Sequence, residues 1–317
     1  MAERGEEKPI VVYAAAAANL GIAVAKFAAA AFTGSSSMLS EGIHSVVDTG
    51  NELLLLVGLR RSHRPPDRAH PFGYGKALYF WGLVVAMVIF GMGGGMSVYE
   101  GITHLRDGAH GTSTSPAWNY GVLAVAAVLE GLSFRVALRK FREHTQGRPL
   151  WTSFRASKDP SLFIVLAEDA AALVGLLIAF IGILLTQLTG IHVFDGIASL
   201  LIGVLLGGVS LLLGRETGGL LVGESASEEL IREIERVVRA DPSVERMGKP
   251  LTMQLGPQEV LVNLAVAFRS NLSGKDLTSA AQLLEKRIRE AHPSITRVFL
   301  DLEPITKPRP PEPAPAT

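Results

Sequence analysis

The 317-residue chain contains no cysteine. That absence excludes a disulfide scaffold, a thiol nucleophile, thiolate-held zinc and cysteine-ligated iron–sulfur clusters. Net charge is missing too, since 30 basic side chains balance 30 acidic ones. A neutral chain lacks the basic footprint of a nucleic-acid-binding protein, so no nucleic-acid partner is expected. Charged residues are scarce at 19%, below the roughly 25% of an ordinary soluble domain. With 48% hydrophobic residues and a mean hydropathy of +0.31, a disordered chain is excluded and a membrane is indicated.

What is present is segregated along the chain. Six stretches are apolar over the length of a spanning helix, about 20 residues. They cover 10–33, 36–59, 77–102, 117–138, 160–185 and 194–214. The first does not read as a cleaved signal peptide, because its apolar run is too long and further spans follow. Arg60, Arg61, Arg64, Arg68 and Lys76 lie between the second and third spans. Arg135 in the last turn of the fourth span, and Arg139, Lys140, Arg142, Arg148, Arg155 and Lys158 after it, precede the fifth. The three other loops hold Arg106 alone. This asymmetry predicts that both termini are cytoplasmic. Residues 1–9 are then a cytoplasmic N-terminus and 10–222 a six-helix transmembrane domain. The N-terminal residues carry no Arg/Ser-rich presequence, which points to a bacterial cytoplasmic membrane.

Beyond residue 222 the pattern is that of a soluble domain. Leu230, Ile234, Val237 and Val238 predict an amphipathic helix over 226–240, ended by Asp241-Pro242. Two strands are expected at 250–256 and 259–269, joined at Gly256-Pro257. The second alternates Val260, Val262, Leu264, Val266 and Phe268. Ser273 can cap a helix over 274–291, and a strand follows at 295–303. The expected fold is therefore an α-helical membrane protein of six transmembrane helices. Its C-terminal cytoplasmic α+β domain, 223–303, has the order αββαβ. Residues 304–317 form a Pro-rich tail, read as disordered.

Ionisable residues inside apolar spans are costly and need a reason. The second span places Glu41, His44, Asp48 and Asn51 at i, i+3, i+7 and i+10, on one helix face. His44 and Asp48 are one turn apart, so a nitrogen and an oxygen can converge on one ion. The fifth span carries Glu168-Asp169. Counting from the membrane faces at ~1.5 Å per residue, His44, Asp48 and Asp169 reach similar depths. A His with two carboxylates suits Zn²⁺ or a neighbouring first-row divalent ion better than Mg²⁺ or Ca²⁺. Glu168 points about 100° away from Asp169, so at most one of them is expected to bind the ion directly. Asp67 and His70, in the loop between the second and third spans, are a candidate secondary metal site. The competing reading of that loop is a turn anchored by Phe72, Tyr74 and lipid headgroups. Lys26 and Glu130 read as intramembrane charges that are paired or neutral. Gly91, Gly93, Gly94 and Gly95, with Gly203 and Gly207, read as helix-packing positions.

Three motifs carry a family resemblance: Ser37 through Asp48, His70-Pro71-Phe72-Gly73-Tyr74-Gly75-Lys76, and Asp195-Gly196-Ile197-Ala198-Ser199-Leu200-Leu201. Together they resemble the cation diffusion facilitator family of divalent-metal transporters, over about residues 10–303. The Leu166-Ala167-Glu168-Asp169 pattern looks like the branch that includes the mitochondrial-type zinc transporter of animals. The resemblance implies a transport site of two pairs, each four residues apart. His44 and Asp48 match the first pair. Asp169 matches the second member of the other, whose first member falls on Val165. The fourth position is then water, Glu168 or Asn51. The resemblance also implies a metallochaperone-like soluble domain that serves in homodimerisation. With only His292 there, no His-rich regulatory metal site is expected.

The expected function is secondary active export of a divalent cation from the cytoplasm in exchange for protons. Zn²⁺ is the first choice, with Mn²⁺, Fe²⁺, Co²⁺ and Ni²⁺ open. No prosthetic group is expected, and the lipid membrane, the metal and protons are the partners. The competing readings are an intramembrane metalloenzyme and a non-transporting metal-sensing scaffold. The first lacks an H-E-x-x-H pattern.

Overall fold

The computed structural model describes residues 9–107, 117–145 and 149–302. The N-terminal residues 1–8 and the Pro-rich tail lie outside the described residues. The chain divides into two compact units. One holds the residues up to Pro66 together with Lys76–Leu221. The other holds Asp67–Gly75 and the residues from Val222 on.

The first unit is helical: α1 (Pro9–Thr33), α2 (Ser36–Ser62), α3 (Ala77–Val88), a π-helical segment (Ile89–Gly95), α4 (Met96–Asp107), α5 (Ala117–Thr145), α6 (Leu150–Ala156), α7 (Pro160–Thr189) and α8 (Val193–Val222). Among the described residues, four stretches are long and apolar enough to cross a membrane: Ala77–Arg106, Trp118–Glu143, Pro160–Thr189 and Val193–Val222. Helix α2 has spanning length at 27 residues, but Glu41, Asp48 and Glu52 dilute its hydropathy. Helix α1 has 25 residues, of which Leu20–Thr33 is an apolar stretch. The short helix α6 has no counterpart in the sequence expectation.

Local chemistry sets the helix ends. The Ser35 side chain accepts from the Met38 amide and caps α2. Asp159 caps α7, Pro160 opens it, and Gly190 closes it at φ 72°. The unit packs around Tyr79, Phe163, Ile164, Leu206 and Leu213, all fully buried. Large apolar side chains such as Phe80, Phe90, Val128 and Val204 are exposed on its outside. An apolar exterior over an apolar core is what a lipid-facing bundle requires. The expected glycine contact is present at Gly94, where a Cβ would lie 3.1 Å from the Gly203 carbonyl oxygen and the Gly207 nitrogen. Gly91 has nothing within reach of a Cβ and takes no part in that packing.

The second unit runs α9 (Glu228–Arg239), β1 (Val244–Met247), β2 (Leu251–Gly256), β3 (Glu259–Phe268), α10 (Gly274–Ala291) and β4 (Ile295–Leu302). The order is thus αβββαβ, one strand more than expected. The extra strand is only four residues long, and two of them, Glu245 and Arg246, are charged and exposed. Strand β3 is central. It pairs antiparallel with β1 and β2, and parallel with β4 across the α10 crossover. Its alternating Val260, Val262, Leu264, Val266 and Phe268 meet Leu230, Ile234 and Val238 of α9 and Leu284 and Ile288 of α10. This is a two-layer core. Ser227 and Ser273 cap the two helices.

Residues 67–75 lie between α2 and α3 in sequence, yet they pack with this second unit. The ring of Phe72 meets that of Phe299 edge-on at 6.4 Å. Gly75 lies so close to Leu255 and Gly256 that a Cβ would collide with the Leu255 carbonyl oxygen.

Candidate metal site

Helix α2 projects its polar face into the first unit. His44 Nδ1 lies 3.4 Å from Asp48 Oδ1, and the His44 side chain is 2% exposed. Neither imidazole nitrogen of His44 has a hydrogen-bond partner, and Asp48 Oδ1 and Asn51 Oδ1 are equally without one. Buried polar atoms are normally satisfied, because leaving one unpaired costs about 1–3 kcal/mol. The unpartnered atoms of His44, Asp48 and Asn51 share one face of α2.

Helix α7 brings its acidic pair to two different neighbours. Glu168 is buried and accepts from Asn51 Nδ2 at 2.6 Å. Asp169 accepts from the Ser133 hydroxyl of α5 at 2.9 Å. The 100° between consecutive helix positions separates them, as expected. Here Glu168, not Asp169, makes the direct contact with α2. Asp48 is within electrostatic range of Glu168, Glu130, Lys26 and Asp169. Val165 is half-buried and packs against the apolar core. Among the described residues, no three His, Asp or Glu side chains are already gathered tightly enough to hold a metal ion. The expected residues thus share one region as pairs, His44 with Asp48 and Asn51 with Glu168.

Sequence reasoning missed two features nearby. The first concerns Lys26, whose ammonium donates to Glu41 Oε2 at 3.0 Å and to Ser45 Oγ at 2.8 Å. Both ionic side chains are fully buried. The expectation that Lys26 is paired holds, and its partner is the glutamate one turn before His44. The second is a carboxylate at the N-terminus of α2. Asp195 of α8 accepts from Ser35 Oγ at 2.9 Å, from the Ser36 amide at 2.6 Å, from Ser36 Oγ at 3.4 Å and from Ser37 Oγ. His104 Nε2 of α4 stands 3.9 Å from the same carboxylate. The run Ser35-Ser36-Ser37 is visible in the sequence, but its partner 160 residues away is not.

The loop pair behaves differently. Asp67 Oδ1 accepts from the Ala69 and His70 amides at 2.9 and 2.7 Å, and Oδ2 accepts from the Tyr74 hydroxyl at 2.7 Å. The Tyr74 hydroxyl and these amides hold the Asp67 carboxyl below its usual value. His70 lies 3.6 Å from Asp67 and packs its ring on Tyr74 at 4.2 Å. Asp67 organises the turn with oxygens already engaged by the loop itself.

Residues 12–222 match the cation efflux transmembrane domain. The chain belongs to the cation diffusion facilitator family. It is an integral, multi-pass membrane protein of that family. It is 35% identical over 269 residues to the mitochondrial proton-coupled zinc antiporter SLC30A9 of Mus musculus, covering 82% of this chain and 47% of that protein. Metal tolerance protein C4 of Arabidopsis thaliana is 29% identical over 74% of this chain and 51% of its own length. The manganese efflux system protein MneP of Bacillus subtilis is 23% identical over 95% of this chain and 98% of its own. The chain spans about half the length of the SLC30A9 antiporters it matches. These relatives are named as an antiporter, a metal tolerance protein and an efflux system protein.

Proposed function

We propose that this chain is a secondary transporter that exports a divalent cation from the cytoplasm in exchange for protons, with Zn²⁺ as the first cargo. One observation carries the reading: His44 is buried beside Asp48 with both ring nitrogens unsatisfied. A nitrogen and carboxylate oxygens suit Zn²⁺ and its first-row neighbours. The names of the relatives support zinc and manganese alike, so Mn²⁺, Fe²⁺, Co²⁺ and Ni²⁺ stay within the proposal.

In this reading α1, α2, α3 with α4, α5, α7 and α8 make six crossings, with both termini on the side of the basic clusters within residues 60–76 and 135–158. The host is a bacterial cytoplasmic membrane, although the matched antiporters are named as mitochondrial. His44 and Asp48 take the ion from water, and Asp169 or Glu168 of α7 completes the shell, with Asn51 or water beside them. When the ion departs, the imidazole and a carboxylate take up protons, because unpaired charge in a low-dielectric interior is costly. Metal and protons then compete for the same groups, which couples their fluxes. Rocking of helices about the site exposes it to each side in turn. The second unit serves a homodimer, a role supported by exposed apolar residues such as Leu251, Phe299 and Leu302. The test is proton-linked Zn²⁺ flux in proteoliposomes. Asp48→Ala and Asp169→Ala are expected to abolish it, and undiminished flux in either variant would sink the site assignment.

A further inference from the structure

Four polar side chains of α2 share its inward face: Glu41, His44, Ser45 and Asp48, at i, i+3, i+4 and i+7. Three carboxylate or imidazole groups on one face would make a ligand set richer in charge than the pair His44 and Asp48. The structure shows what happens to the first of them. Lys26 reaches across from α1 and binds Glu41 Oε2 and Ser45 Oγ with its ammonium, and both charged side chains are fully buried. The other oxygen, Glu41 Oε1, has no hydrogen-bond partner. It is turned against Gly175 of α7, where any Cβ would collide with it. The carboxylate is therefore drawn into a slot between α1 and α7 by one charge and one missing side chain.

We infer that Lys26 is a specificity-determining residue that withholds Glu41 from the transported metal. This inference rests on the reading of α2 as the ligand-bearing helix. The withheld carboxylate matters because donor type sorts divalent ions. Hard cations such as Mn²⁺ and Mg²⁺ favour oxygen-rich, negatively charged shells, whereas Zn²⁺ gains more from the imidazole. A tethered ammonium beside the site neutralises one carboxylate permanently and leaves a nitrogen-containing set of lower charge. Glu130 of α5 is a further carboxylate within electrostatic range of both Lys26 and Glu41, so the test must separate the two.

The test is equilibrium binding of Zn²⁺ and Mn²⁺ to the purified full chain, with thermal unfolding of each variant as a fold control. Lys26→Met is expected to raise affinity for Mn²⁺ relative to Zn²⁺ by about ten-fold or more. The double variant Lys26→Met/Glu41→Gln is expected to return to the parental ratio, because the freed carboxylate has been removed. Lys26→Arg, which keeps the charge, is expected to hold that ratio throughout. A folded Lys26→Met variant with the parental ratio would overturn the inference. A shift that persists in the double variant would overturn it too, since Glu130 or another group would then be responsible. If Lys26→Met does not fold, the charge-balanced double variant carries the test alone. A loss of Zn²⁺ affinity there beyond about ten-fold would show that Glu41 is itself a ligand. His44→Ala is the separate control. Unchanged Zn²⁺ binding in that variant would remove the metal-site reading, whatever Lys26 does.

Discussion

Helix α2 contains two buried polar regions with opposite accounts. At its N-terminus, Asp195 accepts from three consecutive serines, with the backbone amide of Ser36 among the donors. Two turns further on, His44 has no hydrogen bond at either ring nitrogen, and Asp48 and Asn51 each keep an oxygen unpaired. Both regions are buried in the same unit, so burial alone does not mark a functional site. Hydrogen bonding separates them further. A carboxylate engaged by several donors ties two helices together, whereas polar atoms left without protein partners stay available to a ligand.

That contrast can be broken most visibly at the unsatisfied end. His44→Ala or Asp48→Asn should cut Zn²⁺ flux in proteoliposomes by at least about 100-fold while leaving the thermal midpoint near the parent. A flux within a few-fold of the parent would erase the distinction. At the satisfied end the outcome should invert. Asp195→Ala orphans several buried donors and is expected to cost about 2–3 kcal/mol of stability, read by thermal or denaturant unfolding. The folded fraction should bind Zn²⁺ with parental affinity. Gly175→Ala sharpens the boundary between the two. Its Cβ must displace the Glu41 carboxylate from its slot, at a cost of about 1–3 kcal/mol, and the Lys26–Glu41 pair should loosen.

The smallest effect belongs to a satisfied carboxylate in the second unit. Burial pushes the Asp241 carboxyl up, but the Ser243 hydroxyl and amide and the Arg287 guanidinium at 2.7 Å outweigh it and hold it below its usual value. A lowered native value means stability that is present above the unfolded value of 3.8 and is lost as pH falls through the native one. Acid unfolding of the parent should show this limb, and Asp241→Asn should flatten it. An identical acid profile in the variant would show that Asp241 is not linked to folding.

Much of this was legible in the chain. Long apolar runs mark α3 with α4, α5, α7 and α8 because lipid demands continuous hydropathy. Alternation from Val260 to Phe268 marks β3 because one face of the sheet is covered. The i, i+4 spacing puts His44 and Asp48 within 3.4 Å, since that geometry belongs to a single helix. What stayed hidden depends on how helices pack. Nothing local tells Lys26 that its partner is Glu41, or Ser36 that its amide faces Asp195. The same holds for Glu168 and Asp169: the sequence separates their directions, but only packing decides which one meets Asn51. Strand β1 escaped because Val244-Glu245-Arg246-Met247 is short and half charged, with no buried alternation to announce it.

The π-helical segment Ile89–Gly95 lies in the middle of the stretch Ala77–Arg106. Its wider hydrogen-bonded turns and its four glycines make the rod mechanically uneven. Bending should concentrate there, so the halves formed by α3 and α4 can act as two levers about a compliant joint. A span built this way can transmit a tilt at one membrane face without imposing the same tilt on the other.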